Sequence, residues 1–181
     1  DKNNENVTSI GRGNRKDIRN AVEAANSQKK WPELSSHGRA QILFYMAENL
    51  AQRKNEFVNL LSQTQYCKDP EIEFYTCIES LFTFASWADK YDGLVHQAPI
   101  RANTLALNEP IGTLGIICPD NYPLAAFVIL FASAISQGNK VVIVPSETFP
   151  LPALNMYQIF DTSDLPGGVV NIVSGKHVEV I

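Results

Sequence analysis

The sequence predicts an α/β fold: a helical N-terminal part, then half of a doubly wound parallel (Rossmann-like) sheet, with a protruding β-hairpin between them. Helical periodicity dominates residues 1–93, and short alternating segments broken by Pro99 and Asn103 fill residues 94–109. From residue 110 to 181, apolar strands alternate with helices. Strands that are apolar on both faces and linked by helices are typical of a parallel sheet. We therefore divide the chain at residues 93 and 109.

Composition and charge limit the class of protein. With 181 residues and 45% apolar content, the chain can bury the core of one domain or slightly more. The net charge of -4, with both signs interspersed, disfavours a nucleic-acid face or a patch for anionic membranes, so we expect small molecules or proteins as partners. The longest apolar run, residues 124–135, is shorter than the roughly 20 residues that cross a bilayer and predicts a buried helix.

Cysteine usage and the first residues indicate a cytoplasmic protein. Cys67, Cys77 and Cys118 are odd in number and show no C-x-x-C spacing, which disfavours a disulfide framework and a zinc site. We predict reduced structural thiols and no metal. The opening residues do not have the basic segment and apolar stretch of a secretory signal.

Three helical segments are predicted before residue 93. The first covers residues 17–25 on a stripe of apolar residues three and four apart, and Trp31 and Pro32 should end it. Ser35 or Ser36 can cap the second, which runs to residue 61 through a charged joint at residues 53–56. Asp69 and Pro70 are a suitable N-cap and first residue for the third, which carries a broad apolar face until Asp92 and Gly93.

The second half reads as a β-α-β-α-β unit, which is half of the usual six-stranded dinucleotide fold. Strands are predicted at residues 113–118, 140–144 and 169–173, with helices at 123–137 and 150–160. Two pairs, Gly138-Asn139 and Gly167-Gly168, mark the returns from helix to strand. If the chain ends at Ile181, the third strand should expose apolar surface, and we expect self-association.

Three blocks of the second half resemble the aldehyde dehydrogenase superfamily. They are NEPIGTLGIICPDNYPL, ASAISQGNKVVIVPSETFPLPAL and DLPGGVVNIVSG, which match EPIGVVGxIxPWNFPL, ALAAGNxVVxKPSExTPLTAL and GLPPGVVNIVxG in order and spacing. Upstream, the segment from KDIRNAVEAANSQKKW to SSHGRAQIL is similar to the family's first helices. The resemblance implies a protein that oxidises an aldehyde to a carboxylic acid with NAD or NADP.

The resemblance assigns roles to four residues. Asn121 matches the asparagine whose amide stabilises the oxyanion formed when a cysteine thiolate attacks the aldehyde. The alternative interpretation is a turn residue that fixes a strand-to-helix corner. Glu147 matches the acidic residue near the adenosine ribose, although Ser146 and Glu147 would also suit a plain loop with Ser146 in solvent. Ile117 and Pro119 match positions beside the cofactor and would serve equally as strand-end residues.

The hairpin at residues 94–109 matches the family's oligomerisation hairpin. The resemblance implies a homo-oligomer built through it, because an unpaired strand edge needs a partner. The alternative is a hairpin that folds back on its own sheet.

Several positions depart from the family pattern at the cofactor site. Val144 replaces the expected lysine, and Asp120 replaces the tryptophan of P-W-N, placing a carboxylate where an anionic cofactor would lie. His177 stands where the family has a glycine, and we interpret it as a surface histidine. These departures predict weakened cofactor binding.

The family's F-T-G-S-T motif, general-base glutamate and cysteine nucleophile do not occur in these residues. The chain should therefore be inactive by itself. Its degraded cofactor residues resemble the duplicated region of family 16 members, which favours a second hypothesis: a pseudoenzyme or scaffold that acts through protein partners.

Overall fold

The structure, a computed structural model, describes residues 8–91 and 93–180, apart from the side chain of Val180. The described helices are α1 (Arg15–Ser27), α2 (Lys30–Glu33), α3 (Ser36–Gln52), α4 (Lys54–Ser62), α5 (Pro70–Ala88), α6 (Ala125–Ser136), α7 (Leu151–Thr162) and α8 (His177–Val180). The described strands are β1 (Leu94–Gln97), β2 (Asn103–Ala106), β3 (Thr113–Ile117), β4 (Lys140–Val144) and β5 (Val170–Ile172).

The parallel sheet has the order β3-β4-β5, and both of its pairings are parallel, as the sequence predicts. Helix α6 connects β3 to β4 and helix α7 connects β4 to β5. Their apolar side chains join those of α3 and α5 in the main core, whereas α1 covers the opposite face of the sheet around Val142 and Val144. Parallel pairing brings the carboxyl ends of all three strands to one edge. We call this edge, with the loops 118–124, 145–150 and 173–176, the carboxyl edge.

Capping residues set the helix starts that the sequence predicts. Ser35 accepts a hydrogen bond from the backbone N–H of Gly38, and Asp69 accepts one from Ile72, directly before Pro70. Each satisfies an N–H group that a helix's first turn leaves unpaired. Asn14 forms a capping box with Asp17 and starts α1 earlier than the periodicity indicates.

The prediction that Trp31 and Pro32 end the first helix is wrong. Helix α1 ends at Ser27, and both residues lie within the short helix α2. Trp31 is fully buried and its indole N–H donates to the carbonyl of Ile135 at the end of α6. Packing against α6 therefore determines the conformation of residues 30–33. At the far end, α5 stops at Ala88, earlier than the predicted stop at Asp92 and Gly93, of which Asp92 lies outside the described residues.

The expected apolar exposure along residues 169–173 is also wrong. Val169, Val170 and Val173 are buried, because α1 covers one face of β5 while the core covers the other. The backbone N–H of Ile172 is occupied as well, since it donates to the hydroxyl of Tyr157. Exposed apolar surface lies instead on the β3 side of the sheet, where Ile117 is half exposed.

The β1-β2 pair is a separate two-stranded antiparallel hairpin in which Val95 faces Leu105. All eight strand residues are exposed, so the hairpin protrudes as the sequence predicts. Gly93 lies so close to the strand that a Cβ atom there would be 2.2 Å from the carbonyl oxygen of Ala106. Only glycine permits this close approach.

Candidate functional site at the carboxyl edge

Asn121 lies at the carboxyl edge, exposed between the end of β3 and the start of α6, at the strand-to-helix corner that the sequence predicts. Its neighbour Tyr122 has a φ of 56°, a left-handed conformation that is uncommon for a bulky residue. The N–H of Tyr122 donates to the carbonyl of Tyr66, in the loop before α5. This corner is thus held in a strained conformation by a distant loop, which is frequent at functional sites.

Glu73 of α5 supports the same corner from inside the protein. Its Oε1 atom accepts hydrogen bonds from the N–H groups of Leu124 (2.8 Å) and Ala125 (3.0 Å), at the start of α6. Glu73 is buried, and its Oε2 atom has no hydrogen-bond partner among the described residues. A carboxylate at a helix N-terminus satisfies free N–H groups and the helix dipole. Sequence reasoning missed Glu73, because this residue lies 52 positions before the first residue of α6 and no local pattern links the two.

Asp120 connects the end of β3 to the loop after β4. Its Oδ1 atom accepts from the hydroxyl of Ser146 (2.7 Å) and the N–H of Thr148 (3.1 Å). Burial raises the pKa of Asp120, but these hydrogen bonds outweigh it and leave the pKa below the ordinary value. Ser146 is 1% exposed, so the alternative interpretation that places it in solvent is wrong. Its hydroxyl also accepts a hydrogen bond from the N–H of Phe149.

Glu147 is exposed at this loop, and its Oε2 atom accepts from the N–H of His177 at 3.0 Å. His177 is half-buried, so its interpretation as a surface histidine is wrong in part. Its Nε2 atom lies 3.2 Å from the carbonyl oxygen of Pro145. A carbonyl only accepts, so Nε2 carries the proton in this contact. The structure thus brings Glu147 and His177 together.

Ile117 and Val144 line a different cavity, of about 570 Å³, between α1 and the sheet. Glu147 lines a cavity of about 280 Å³ that also includes Lys176 and Arg12. Pro119 is exposed at the end of β3. The predicted cofactor residues therefore do not share one cavity. Sequence reasoning did not connect these two cations with Glu147, since Arg12 lies far along the chain and Lys176 drew attention only as the neighbour of His177.

The residues at the carboxyl edge do not fit an adenosine ribose as they stand. The carboxylate of Glu147 already accepts a backbone N–H group. Val144, at the position of the expected lysine, is buried in the sheet and offers no polar group to a sugar. The carboxylate of Asp120 is turned to Ser146 and Thr148.

The three cysteines are not suited to nucleophilic attack. All three are buried and unpaired with one another. Burial, with a smaller effect of Glu73, raises the pKa of Cys67 to about 12, and burial alone raises that of Cys118 to about 12. Burial also raises the pKa of Cys77 well above its ordinary value. A thiol needs a lowered pKa and access to act as a nucleophile, so these three are structural.

Two further properties belong to the whole described part of the chain. None of its helices combines the length and apolarity needed to cross a membrane. Within residues 8–91 and 93–180, no group of three or more histidine, cysteine or acidic side chains is arranged to hold a metal ion.

Comparison with known proteins identifies the family. The sequence profile described as "Aldehyde dehydrogenase family" matches residues 1–181. The chain belongs to the aldehyde dehydrogenase family. It is 34% identical over 176 residues to the mitochondrial benzaldehyde dehydrogenase of Antirrhinum majus, covering 93% of this chain and 33% of that protein. The chain thus spans about a third of the length of that protein, and 19% of the cytosolic 10-formyltetrahydrofolate dehydrogenase of Pongo abelii, to which it is 32% identical over 170 residues, 88% of this chain.

Solved structures share the fold of this aldehyde dehydrogenase family chain. PnpE from Pseudomonas sp. WBC-3 superposes with a TM-score of 0.93 at 27% identity, covering 97% of this chain and 37% of that one. An aldehyde dehydrogenase from Bacillus cereus, solved as its NAD+ complex, superposes with a TM-score of 0.86 at 25% identity, covering 93% of this chain and 36% of that one. These matches confirm the helical part and the parallel half-sheet as an N-terminal, Rossmann-like portion of the family's fold.

Proposed function

We propose that this chain is the cofactor-side portion of a protein that oxidises an aldehyde to a carboxylic acid with NAD or NADP, and that the chain is inactive by itself. Family membership over the whole chain supports the reaction class. The observation that carries the proposal is the position of Asn121, exposed at the carboxyl edge, where ligands of open α/β sheets bind.

The chain's own contribution is electrostatic. The side-chain amide of Asn121 can donate a hydrogen bond to an oxygen that gains negative charge when a nucleophile attacks a carbonyl. The carbonyl of Tyr66 and the carboxylate of Glu73 hold the backbone directly after Asn121, so the corner that carries the donor is fixed before the reaction begins. Such a preorganised donor costs no reorganisation when the charge develops.

The inactivity of the chain alone follows from its thiols. None of its three cysteines is accessible with a lowered pKa, so none can attack the aldehyde. We expect the isolated chain to show no aldehyde oxidation and no saturable binding of NAD at millimolar concentrations. Turnover by the isolated chain would contradict this proposal.

The test of the reaction uses the full-length protein that contains this chain. Formation of NADH or NADPH is followed with a panel of aldehydes for the wild type, Asn121→Ala and Asn59→Ala, an exposed helical asparagine on α4. Loss of one oxyanion donor should lower kcat by about 10²- to 10³-fold, and the α4 variant should keep the wild-type rate. Equal rates in all three would remove Asn121 from the reaction.

A second function, a non-catalytic scaffold, is supported by the poor fit of the carboxyl edge to an adenosine ribose. Asp120 and Glu147 are hydrogen-bonded within the chain, and Val144 is buried in the sheet. On this hypothesis the full-length protein keeps its fold and assembly but oxidises no aldehyde. The same assay separates the two functions, because a wild type without turnover supports the scaffold.

We also propose that the hairpin of residues 94–109 builds a homo-oligomer. A two-stranded hairpin is marginally stable alone in water. Val95 and Leu105 are 70% and 63% exposed and face each other across the two strands. A second copy of the chain would cover this apolar pair and the unpaired strand edges.

A further inference from the structure

The loop that carries Glu147 is held on both sides. Before it, Ser146 is buried and donates to Asp120; after it, the backbone N–H of Thr148 donates to the same carboxylate oxygen. The backbone around Glu147 is therefore fixed to the end of β3. At this position, only the side chain of Glu147 can exchange one hydrogen-bond partner for another.

That side chain is bonded to α8. Its Oε2 atom accepts the N–H of His177, the first residue of the helix, at 3.0 Å. The imidazole of His177 adds a second contact, with Nε2 3.2 Å from the carbonyl oxygen of Pro145. Two hydrogen bonds from one residue thus fasten α8 onto the loop 145–147, across the carboxyl ends of β4 and β5.

The bonded carboxylate is the kind of group that binds a sugar. An acidic side chain at the end of a strand in a nucleotide-binding α/β sheet accepts hydrogen bonds from ribose hydroxyls. A carboxylate holds a ribose diol through both of its oxygens, and in Glu147 one of them, Oε2, already accepts the backbone N–H of His177. The two partners therefore compete for the same side chain.

We propose that the contact between Glu147 and His177 is an intramolecular latch that a nucleoside ribose must displace in order to bind at the carboxyl edge. The inference rests on the proposed function for the identity of the ligand. A hydrogen bond to a charged acceptor makes a net contribution of about 1.5 to 3 kcal/mol, so closure of the latch should weaken ribose binding by about 10- to 100-fold.

The test measures binding of AMP, which carries the adenosine ribose without nicotinamide, to the full-length protein by calorimetry. His177→Pro removes the N–H group that Glu147 accepts, at the first position of a helix, where proline is tolerated. His177→Gly keeps that N–H and removes only the imidazole. Val178→Gly, at a neighbouring side chain that is 91% exposed, is the matched control.

We expect His177→Pro to bind AMP at least about tenfold more tightly than the wild type, His177→Gly to lie between them, and Val178→Gly to equal the wild type. Adding Glu147→Ala to His177→Pro should abolish the gain. No gain in His177→Pro, with native circular dichroism, overturns the latch; so does a gain that survives without Glu147.

These outcomes are separate from those of the proposed function, because AMP binding requires no turnover. A wild type that oxidises aldehydes and binds AMP no less tightly than His177→Pro would refute the latch and support the reaction. A protein without turnover in which His177→Pro gains AMP affinity would refute the reaction and support the latch.

Discussion

At the residue scale, the corner that carries Asn121 is held by a buried carboxylate and by a carbonyl from a distant loop. Glu73 accepts both of its hydrogen bonds from the first turn of α6, and Tyr66 holds the strained Tyr122 from the other side. These contacts join α5 and the loop before it to the candidate site. A main-chain carbonyl and a buried carboxylate from outside the loop thus hold the backbone that follows Asn121.

Glu73→Leu should destabilise the protein by about 2 to 4 kcal/mol, because two buried N–H groups lose their acceptor. Glu79→Leu, which makes the same replacement at an exposed position of α5, should have little effect. Urea unfolding of both variants and the wild type measures the difference. Similar losses in both variants would mean that Glu73 does not support the corner.

The buried cysteine Cys118 predicts an alkaline loss of stability. Burial raises its pKa in the folded protein from 9.0 to about 12, so the folded state holds the thiol proton more tightly than the unfolded chain. That contribution is complete below about pH 9 and is lost as the pH rises toward 12. The free energy of unfolding should therefore fall less steeply above pH 9 in Cys118→Ala than in the wild type. Parallel slopes in the two proteins would contradict the burial effect.

At the scale of elements, α1 packs closely against the sheet at a position where only glycine leaves enough space. Gly168 precedes β5 with a φ of +87°, and a Cβ atom there would lie 2.8 Å from the carbonyl oxygen of Ala24 in α1. Gly138 precedes β4 with a similar φ of +85°, but a Cβ atom there would meet only atoms at 3.6 Å. The two glycines thus share a left-handed backbone conformation, but only Gly168 has a neighbouring atom too close for a Cβ atom.

This difference makes the two glycines a matched pair. Gly138→Ala should cost about 1 to 2 kcal/mol of stability, the cost of a left-handed conformation for a residue with a Cβ atom. Gly168→Ala should cost at least about 1 kcal/mol more, because α1 must also move away from the sheet. Thermal unfolding of both variants tests this, and equal costs would show that α1 is not tightly packed there.

At the scale of the whole molecule, the hairpin is an element whose strand residues are all exposed. Its exposure predicts that Val95→Lys combined with Leu105→Lys lowers the oligomeric state in sedimentation velocity, because charges would replace the apolar pair. The control is His96→Lys combined with Thr104→Lys, which adds the same lysines to the other face of the hairpin. Loss of assembly in both double variants would argue against a specific apolar interface.

Most of the architecture could be predicted because it is local. The alternation of apolar strands and helices after residue 110 sets the order of elements, and residues such as Ser35, Asp69 and Gly138 mark their ends. The corner at Asn121 follows from the same pattern. The family follows from three motif blocks, and the comparisons confirm it. The cytoplasmic compartment and the hairpin-built oligomer stay predictions.

The sequence by itself thus determined the class of fold, the family and the position of Asn121, since each depends on residues close together in the chain. Only the tertiary structure decided that Glu73 caps α6, that Ser146 is buried and that Glu147 is bonded to His177. The hydrogen bonds of Glu73 to α6, of Ser146 to Asp120 and of Glu147 to His177 join residues 26 to 52 positions apart. Periodicity records which face of an element is apolar, but a polar side chain finds its partner only after the elements have packed.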